Sequence, residues 1–417
     1  MRHSTTDTYQ LKREILTFSK KMSRNTPKDI RKFTADMLYG ILASKSCILS
    51  HFADALKEDI QKKNTVERLS RKLKEDLPIQ MKKNYLSFVR EIADGTGPIF
   101  VDDTDIIKPY SKAFESLGRV RDGSSPNGAI ENGYHVTEIT ALSMDTRQPI
   151  SLYSHIHSVH EDNYRSVNQV TFRGLRLAFA HFPKATYVFD RGFDMNKLFE
   201  FMHPHGKQFI TRITDRRNLY YKGKWIKPVT LRNRYKGKFK CIVHWNGKDT
   251  ECWVTCVNVR VTGSKRWLKL ALVYGLSSTP MMLLTNRPVK SKDDALRVVR
   301  MYFMRWRIEE YFRFKKQHLG FENLRVRKLK AMNNLNQFLS MAIGLLCAQA
   351  EKRQSSKLRI ALMRSANAQK PEREISFLLY RIGLGVTRIL RNAKAGIRDW
   401  FHIGRSKYKQ LSFPLLC

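Results

Sequence analysis

Two short apolar runs that each finish in aspartate, PIFVDD ending at Asp103 and TYVFD ending at Asp190, constrain this chain most. Strands disfavour Asp, so an acid at the end of a buried strand needs a turn, a cap or a chemical task to explain it. Around these runs the pattern alternates. Tyr134 to Met144 and Pro149 to His155 carry strand signals, and Asn168 to Phe182 carries helical spacing. Strands interleaved with helices imply an α/β layer.

Between Gln208 and Thr285 the chain becomes a series of strand candidates: Gln208 to Ile213, Lys238 to Trp245, Thr250 to Val261, Trp267 to Tyr274 and Met281 to Thr285. Glycine-containing turns, Asn246-Gly247-Lys248 and Thr262-Gly263-Ser264, separate some of them. A β-rich block therefore sits inside the α/β region. Beyond it, Lys292 to about Gly320 reads as one long helix, with further helical pattern over Met332 to Arg353 and Glu374 to Arg391. The first 95 residues are helical and highly charged, with apolar spacing over Asp29 to Leu42, Cys47 to Lys63 and Val66 to Lys74.

Charge narrows the partner. Lys and Arg outnumber Asp and Glu by 77 to 37, a formal net charge of +40 distributed along the whole chain. A single solvated tail does not account for that, and a polyanion does. Ribosomal proteins and binders of anionic membranes share the signature, but nucleic acid is the leading partner. The same lysine and arginine density favours DNA contact over a plain helical bundle for residues 1–95. The most apolar stretch, Phe338 to Ala350, is shorter than the roughly 20 residues a spanning helix needs, and MRHSTTDTYQ lacks a signal-peptide core.

Cysteines at 47, 241, 252, 256, 347 and 417 follow no disulfide framework, which suits a reducing cytosol. Cys241, His244, Cys252 and Cys256 can be drawn as a zinc site, but their spacing fits no common zinc pattern and core cysteines are the expectation.

The alternation of the first strand separates Asp102 from Asp103 without ranking them, because both faces carry apolar residues. The long helix is more informative. At about 100° per residue, Tyr302, Arg305, Glu309 and Lys316 fall on one narrow stripe. Phe303, Met304, Ile308, Tyr311 and Phe314 fill the opposite arc, the face expected to pack on the core, although Arg307 and Lys315 intrude on it. A solvated face of spaced ion pairs is the plainer alternative.

These four residues stand as Y-x2-R-x3-E-x6-K, which resembles the YREK signature of one large branch of bacterial insertion-sequence DDE transposases. The surrounding LLTNRPVKSKDDALRVVRMYFMRWRIEEYFRFKKQHLG is similar to that branch as well. Upstream, VFDRGFDMNKLFEFM resembles its second-aspartate segment, and VDDTDIIKPY its first. The likeness covers residues 97 to about 330 and is weak at both ends.

The resemblance implies an α/β ribonuclease H-like catalytic core, residues 96–207 and 286–330, interrupted by a β-rich insertion at 208–285. Helical regions at 1–95, for DNA binding, and at 331–417 would flank it. It implies Asp103, the acid directly before Thr104, together with Asp190 and Glu309, as catalytic ligands of Mg²⁺ or Mn²⁺, expected as two ions. Hard oxygen donors suit such cations. Tyr302, Arg305 and Lys316 would grip DNA phosphates.

The implied substrates are double-stranded DNA at terminal inverted repeats and at the target, handled by a homodimer in a synaptic complex in the cytoplasm and on the nucleoid. In one respect the sequence departs from the pattern. Relatives that cut through a DNA hairpin carry a tryptophan just before the LLT strand, where this chain has Met281. Trp245, Trp253 and Trp267 are the candidates to replace it, though strand packing is the simpler role for each.

Overall fold

The computed structural model describes residues 5–397, apart from 124, 126, 246, 263, 265, 279, 280 and 368–376. The chain divides into two compact units, one made of residues up to 85 together with those from 315 onward, the other of residues 86–314.

The first unit is helical among the described residues. It holds α1 (Thr5–Met22), α2 (Lys28–Ser44), α3 (Leu49–Leu56), α4 (Lys62–Lys74) and the first half of α5 (Ile79–Ile92). The helix expected over Cys47 to Lys63 is two elements. Lys57 turns left-handed at φ 48° and ends α3, and Glu58 in the following loop accepts from Thr65 and Arg68 of α4. α2 is buried along almost its full length by its neighbours.

The second unit is built on β1 (Pro98–Ile107), β2 (Gly118–Arg121), β3 (Ile130–Leu142), β4 (Pro149–His157), α6 (Val167–His181), β5 (Thr186–Phe189), α7 (Asn196–Met202) and β6 (Gln208–Arg212). β7 (Leu219–Tyr221), β8 (Lys224–Ile226), α8 (Pro228–Arg234), β9 (Phe239–Trp245), β10 (Lys248–Val261), β11 (Leu268–Tyr274) and β12 (Met281–Thr285) follow, then α9 (Lys292–Phe303) and α10 (Trp306–Arg313). The chain returns to the helical unit through α11 (Leu329–Glu351), α12 (Lys357–Ser365) and α13 (Leu379–Arg391). The expected start of the last helix at Glu374 lies outside the described residues, as does Cys417. Among the described residues, no helix is long and apolar enough to cross a membrane.

Among the described residues, all twelve strands belong to one mixed sheet, in the order β2-β3-β1-β5-β6-β12-β11-β10-β7-β8, with β4 on β3 and β9 on β10. β1, β5 and β6 run parallel, while β3 pairs antiparallel with β1 and β12 antiparallel with β6. The β-rich block is thus hydrogen-bonded onto the strands that carry the acids. On one face Phe100, Val188, Ile210, Leu283 and Val254 pack against Val298, Val299, Tyr302 and Ile308 of α9 and α10. On the other, α6 closes on β3 and β4 at Gly174, where a Cβ would lie 2.6 Å from Tyr153.

The helix expected from Lys292 to Gly320 is jointed. A capping box between Ser291 and Asp294 starts α9. At Met304 and Arg305 the ladder tightens: Arg305 N donates to Tyr302 O at 2.9 Å and Ile308 N to Arg305 O at 3.0 Å, both i to i−3. Phe314–His318 then widens into a π turn. The inward arc nevertheless packs inward, with Phe303, Ile308, Tyr311 and Phe314 all buried.

Candidate active site

β1 does not stop at its acids. Its parallel pairing with β5 ends at Val101 opposite Phe189, whereas the antiparallel ladder with β3 continues to Ile107 opposite Gly133. Asp102 and Asp103 therefore lie inside a strand, just past the end of β5, where Asp190 follows Phe189. Successive side chains of a strand point to opposite faces, and the two acids enter different environments.

Asp102 shares the face of Phe100, beneath α9 and α10. Its Oδ2 accepts from Arg305 Nη1 at 2.9 Å. The same guanidinium donates through Nη2 to Glu309 Oε1 at 2.6 Å and stands 3.8 Å from Asp190 Oδ1. Tyr302 adds a hydroxyl bond to Asp190 Oδ1 at 3.3 Å. Three carboxylates, from two strands and a helix, thus surround one guanidinium.

Asp103, the acid expected as the ligand, lies elsewhere, on the other face of the strand. Its Oδ1 accepts from Thr137 Oγ1 at 2.7 Å, the residue opposite it on β3. Thr137 in turn meets His157 Nε2 at 3.0 Å. Nearby, His135 Nδ1 and Asp105 Oδ1 pair at 3.0 Å. Strand parity could not rank the acids, because a central strand is covered on both faces.

The electrostatics follow from burial. Removal from water pushes the Asp102 carboxyl up to about 7, against the pull of Arg305 and with the help of Asp190 and Asp103. Burial likewise raises Asp103 to about 6, opposed by the Thr137 hydrogen bond, and lowers His157 to about 4. The Tyr302 phenol is pushed up to about 12, by burial first and then by Asp190, so it donates to that carboxylate as a neutral hydroxyl. For Arg305, burial opposes the charge, but Asp190 and Asp102 outweigh it and hold the guanidinium firmly cationic.

Glu309 sits in the first turn of α10, where a negative charge is favoured, and its side chain is 53% exposed. It opens onto a cavity of about 610 Å³ that Arg212, His244, Trp245, Met281, Tyr302 and Trp306 help to line. Arg212 on β6, His244 on β9 and Trp306 on α10 reach this cavity only through the fold, since their elements lie far apart in the sequence. Trp245 packs edge-on against Phe303, while Trp253 and Trp267 are 40% and 52% exposed.

Lys316 belongs to the helical unit and pairs there with Glu322 at 3.0 Å. The tightened turn and the π turn each break the uniform 100° step, so the single stripe of the sequence reading holds locally for Tyr302, Arg305 and Glu309. Cys241 and Cys252 face each other across β9 and β10, both buried, whereas His244 is turned toward Asp249.

Among the described residues, no three His, Cys, Asp or Glu side chains already converge as a metal cage. The donor chemistry of Asp102, Asp190 and Glu309 nonetheless suits a divalent cation: all are hard carboxylate oxygens, all gather on a positive group, and the raised Asp102 ionises more readily when positive charge is added.

Residues 97–345, more than half of the chain, match the family described as the transposase DDE domain. Among solved structures, the cryo-EM structure of a piggyBac transposase synaptic complex with hairpin DNA is similar at 10% identity with a TM-score of 0.42, covering 94% of this chain and 82% of that one. No curated protein matches the sequence. The mixed sheet with its helices and the matched domain fit a ribonuclease H-like core. The chain belongs to the DDE transposases, a family that in general cuts and joins DNA and uses divalent metal ions.

Proposed function

We propose that this protein is the transposase of an insertion sequence: it binds the terminal inverted repeats of its element, cleaves the strand there, and transfers the freed end to target DNA. The observation that carries this reading is the grouping of Asp102, Asp190 and Glu309 around Arg305 in a chain of this family. We assign Asp102, in place of Asp103, with Asp190 and Glu309 as the ligands of two Mg²⁺ or Mn²⁺ ions. Such ions, when bound, activate the attacking oxygen and stabilise the leaving one in an in-line displacement at phosphorus.

The protein's own groups do the positioning. Tyr302 donates to one oxygen of Asp190, which orients that carboxylate and leaves its second oxygen for a cation. Arg305 presents a planar fork that pairs carboxylates here and matches a phosphodiester equally well. Lys316, as a point charge, and Tyr302 complete the proposed DNA grip. Contacts of this kind hold the duplex in place without reading its sequence.

The organisation proposed is a ribonuclease H-like core with residues 208–285 as its insertion, helical regions at 1–95 and 331–417, and two subunits acting in one synaptic complex. Cleavage of labelled terminal-repeat DNA with Mg²⁺ tests the reading. The wild type should nick at the repeat end, and Asp190→Ala and Glu309→Ala should bind the DNA without cutting it. Cutting by either variant would overturn the ligand set.

A further inference from the structure

The β-rich block carries a second concave surface, away from the acids. A cavity of about 600 Å³ lies between β7, β9, β10, β11 and the start of α9. Lys222, Lys238, Lys269, Lys290 and Lys292 all line it, and no Asp or Glu does. None of these five lysines forms an ion pair among the described residues. Asp294, an acid in the first turn of α9, is taken up by the backbone N–H groups of Lys290 and Ser291, so five cations around one concavity favour a polyanion.

Beside the lysines stands Trp267, which also lines the cavity and keeps 52% of its surface in water. A tryptophan that serves only packing buries more of its ring. The indole is held from one side: Arg260 stacks on it with 4.4 Å to the ring centroid and on Tyr220 at 5.0 Å, and Tyr220 meets the half-exposed Trp225. The ring is therefore fixed before any ligand arrives, at low entropic cost. Asn258, with an amide able to donate and accept, lines the same space.

A basic groove that follows phosphates, joined to an exposed aromatic ring that can stack a base, is the combination that suits an unpaired nucleic-acid strand. A paired duplex hides its base faces and cannot use the indole. We propose that this cavity is a binding site for single-stranded DNA, with the lysines on its phosphates and a base stacked on Trp267. That the strand is DNA rests on the transposase reading above.

The placement gives the site a use. Lys292 and Ala295 line the cavity at the N-terminal end of α9, and Tyr302 reaches Asp190 from the other end of that helix. At 1.5 Å per residue, Lys292 and Tyr302 are about 15 Å apart along the axis. A strand freed at the acids is thus only a few nucleotides from the lysines.

The test measures binding by fluorescence anisotropy in EDTA, so that no cutting intervenes, with a labelled oligothymidylate, a random-sequence duplex and inorganic polyphosphate as probes. Trp267→Ala should weaken oligothymidylate about tenfold and leave duplex and polyphosphate within twofold, and Trp267→Phe should restore binding. The triple variant Lys238→Gln, Lys269→Gln, Lys290→Gln should lower the salt dependence for oligothymidylate by about two units, and the matching Arg triple should not. Lys240→Gln, a lysine already paired with Glu251, is the control and should behave as wild type.

Unchanged oligothymidylate binding in both Trp267→Ala and the Gln triple overturns the proposal. So does an equal loss for all three probes in the Gln triple with no effect of Trp267→Ala, which would mean a general electrostatic patch. A wild type that fails to cut with Mg²⁺ would strike the proposed chemistry and leave this comparison intact.

Discussion

Arg305 Nη1 lies 2.9 Å from Asp102 Oδ2, while the neighbouring Asp103 accepts from Thr137 on the other face of the strand. Adjacent residues with the same carboxylate thus enter different surroundings. Asp102→Asn should abolish cleavage of terminal-repeat DNA, a loss of at least a hundredfold in order of magnitude. Asp103→Asn should retain cutting within about tenfold, since an amide oxygen can still accept from Thr137. The reverse ranking in a single-turnover cleavage assay would return the ligand role to Asp103.

Removing Arg305 leaves three acids facing one another without a counter-charge. Arg305→Ala should destabilise the metal-free protein by roughly 3 kcal/mol, the low end for a buried ion pair losing one partner, because Asp190 and Glu309 are partly in water. Added Mg²⁺ should then raise its unfolding midpoint in urea more than it raises that of the wild type, because the cation supplies the missing charge. Equal midpoints for variant and wild type, with and without Mg²⁺, would show that the cluster is not held by this guanidinium.

The raised Asp102 carboxyl gives a pH dependence of defined sign. Its ordinary value is 3.8 and its folded value about 7, so between these the folded protein holds a proton that the unfolded chain has lost. Stability of the metal-free protein should therefore fall as pH rises from about 4 to about 7, and Asp102→Asn should lessen that slope, leaving the share of Asp103 between about 4 and about 6. Divalent binding needs the ionised form, so apparent Mg²⁺ affinity should drop about tenfold for each pH unit below 7. Calorimetric titration at pH 6 and pH 8 with equal affinities would contradict this.

Tyr302→Phe keeps the ring and deletes the hydroxyl that meets Asp190. Loss of a bond that orients a ligand typically costs 10- to 100-fold in metal affinity or activity, and we expect about that loss in cleavage, largely recovered by raising Mg²⁺. DNA affinity measured in EDTA should fall only a few fold, the share of one hydroxyl in the proposed grip on phosphate. A variant as active as wild type at limiting Mg²⁺ would remove Tyr302 from the positioning of Asp190.

The elements that were legible in the sequence are those whose pattern is local. β12 runs from Met281 to Thr285 as read, β6 and β9 agree within a residue, and the buried arc of Phe303, Ile308, Tyr311 and Phe314 follows helical spacing. Asp190 and Glu309 were visible from their motifs and do approach one guanidinium. What escaped depends on partners. Which face of β1 looks toward α10 is decided by tertiary packing, and the joint at Met304 and Arg305 arises from backbone bonds that no side-chain pattern announces. Lys316 follows Glu309 by seven residues, a spacing that an ideal helix would set on one stripe, and the π turn at Phe314–His318 breaks it.

The pairing of β12 with β6 makes the strands of the β-rich block and those bearing Asp102 and Asp190 a single hydrogen-bonded fabric. No part of it can slide without tearing ladder bonds, so the span between the lysine-lined hollow and the acids works as a fixed gauge. A nucleic acid that touches both would be measured against it.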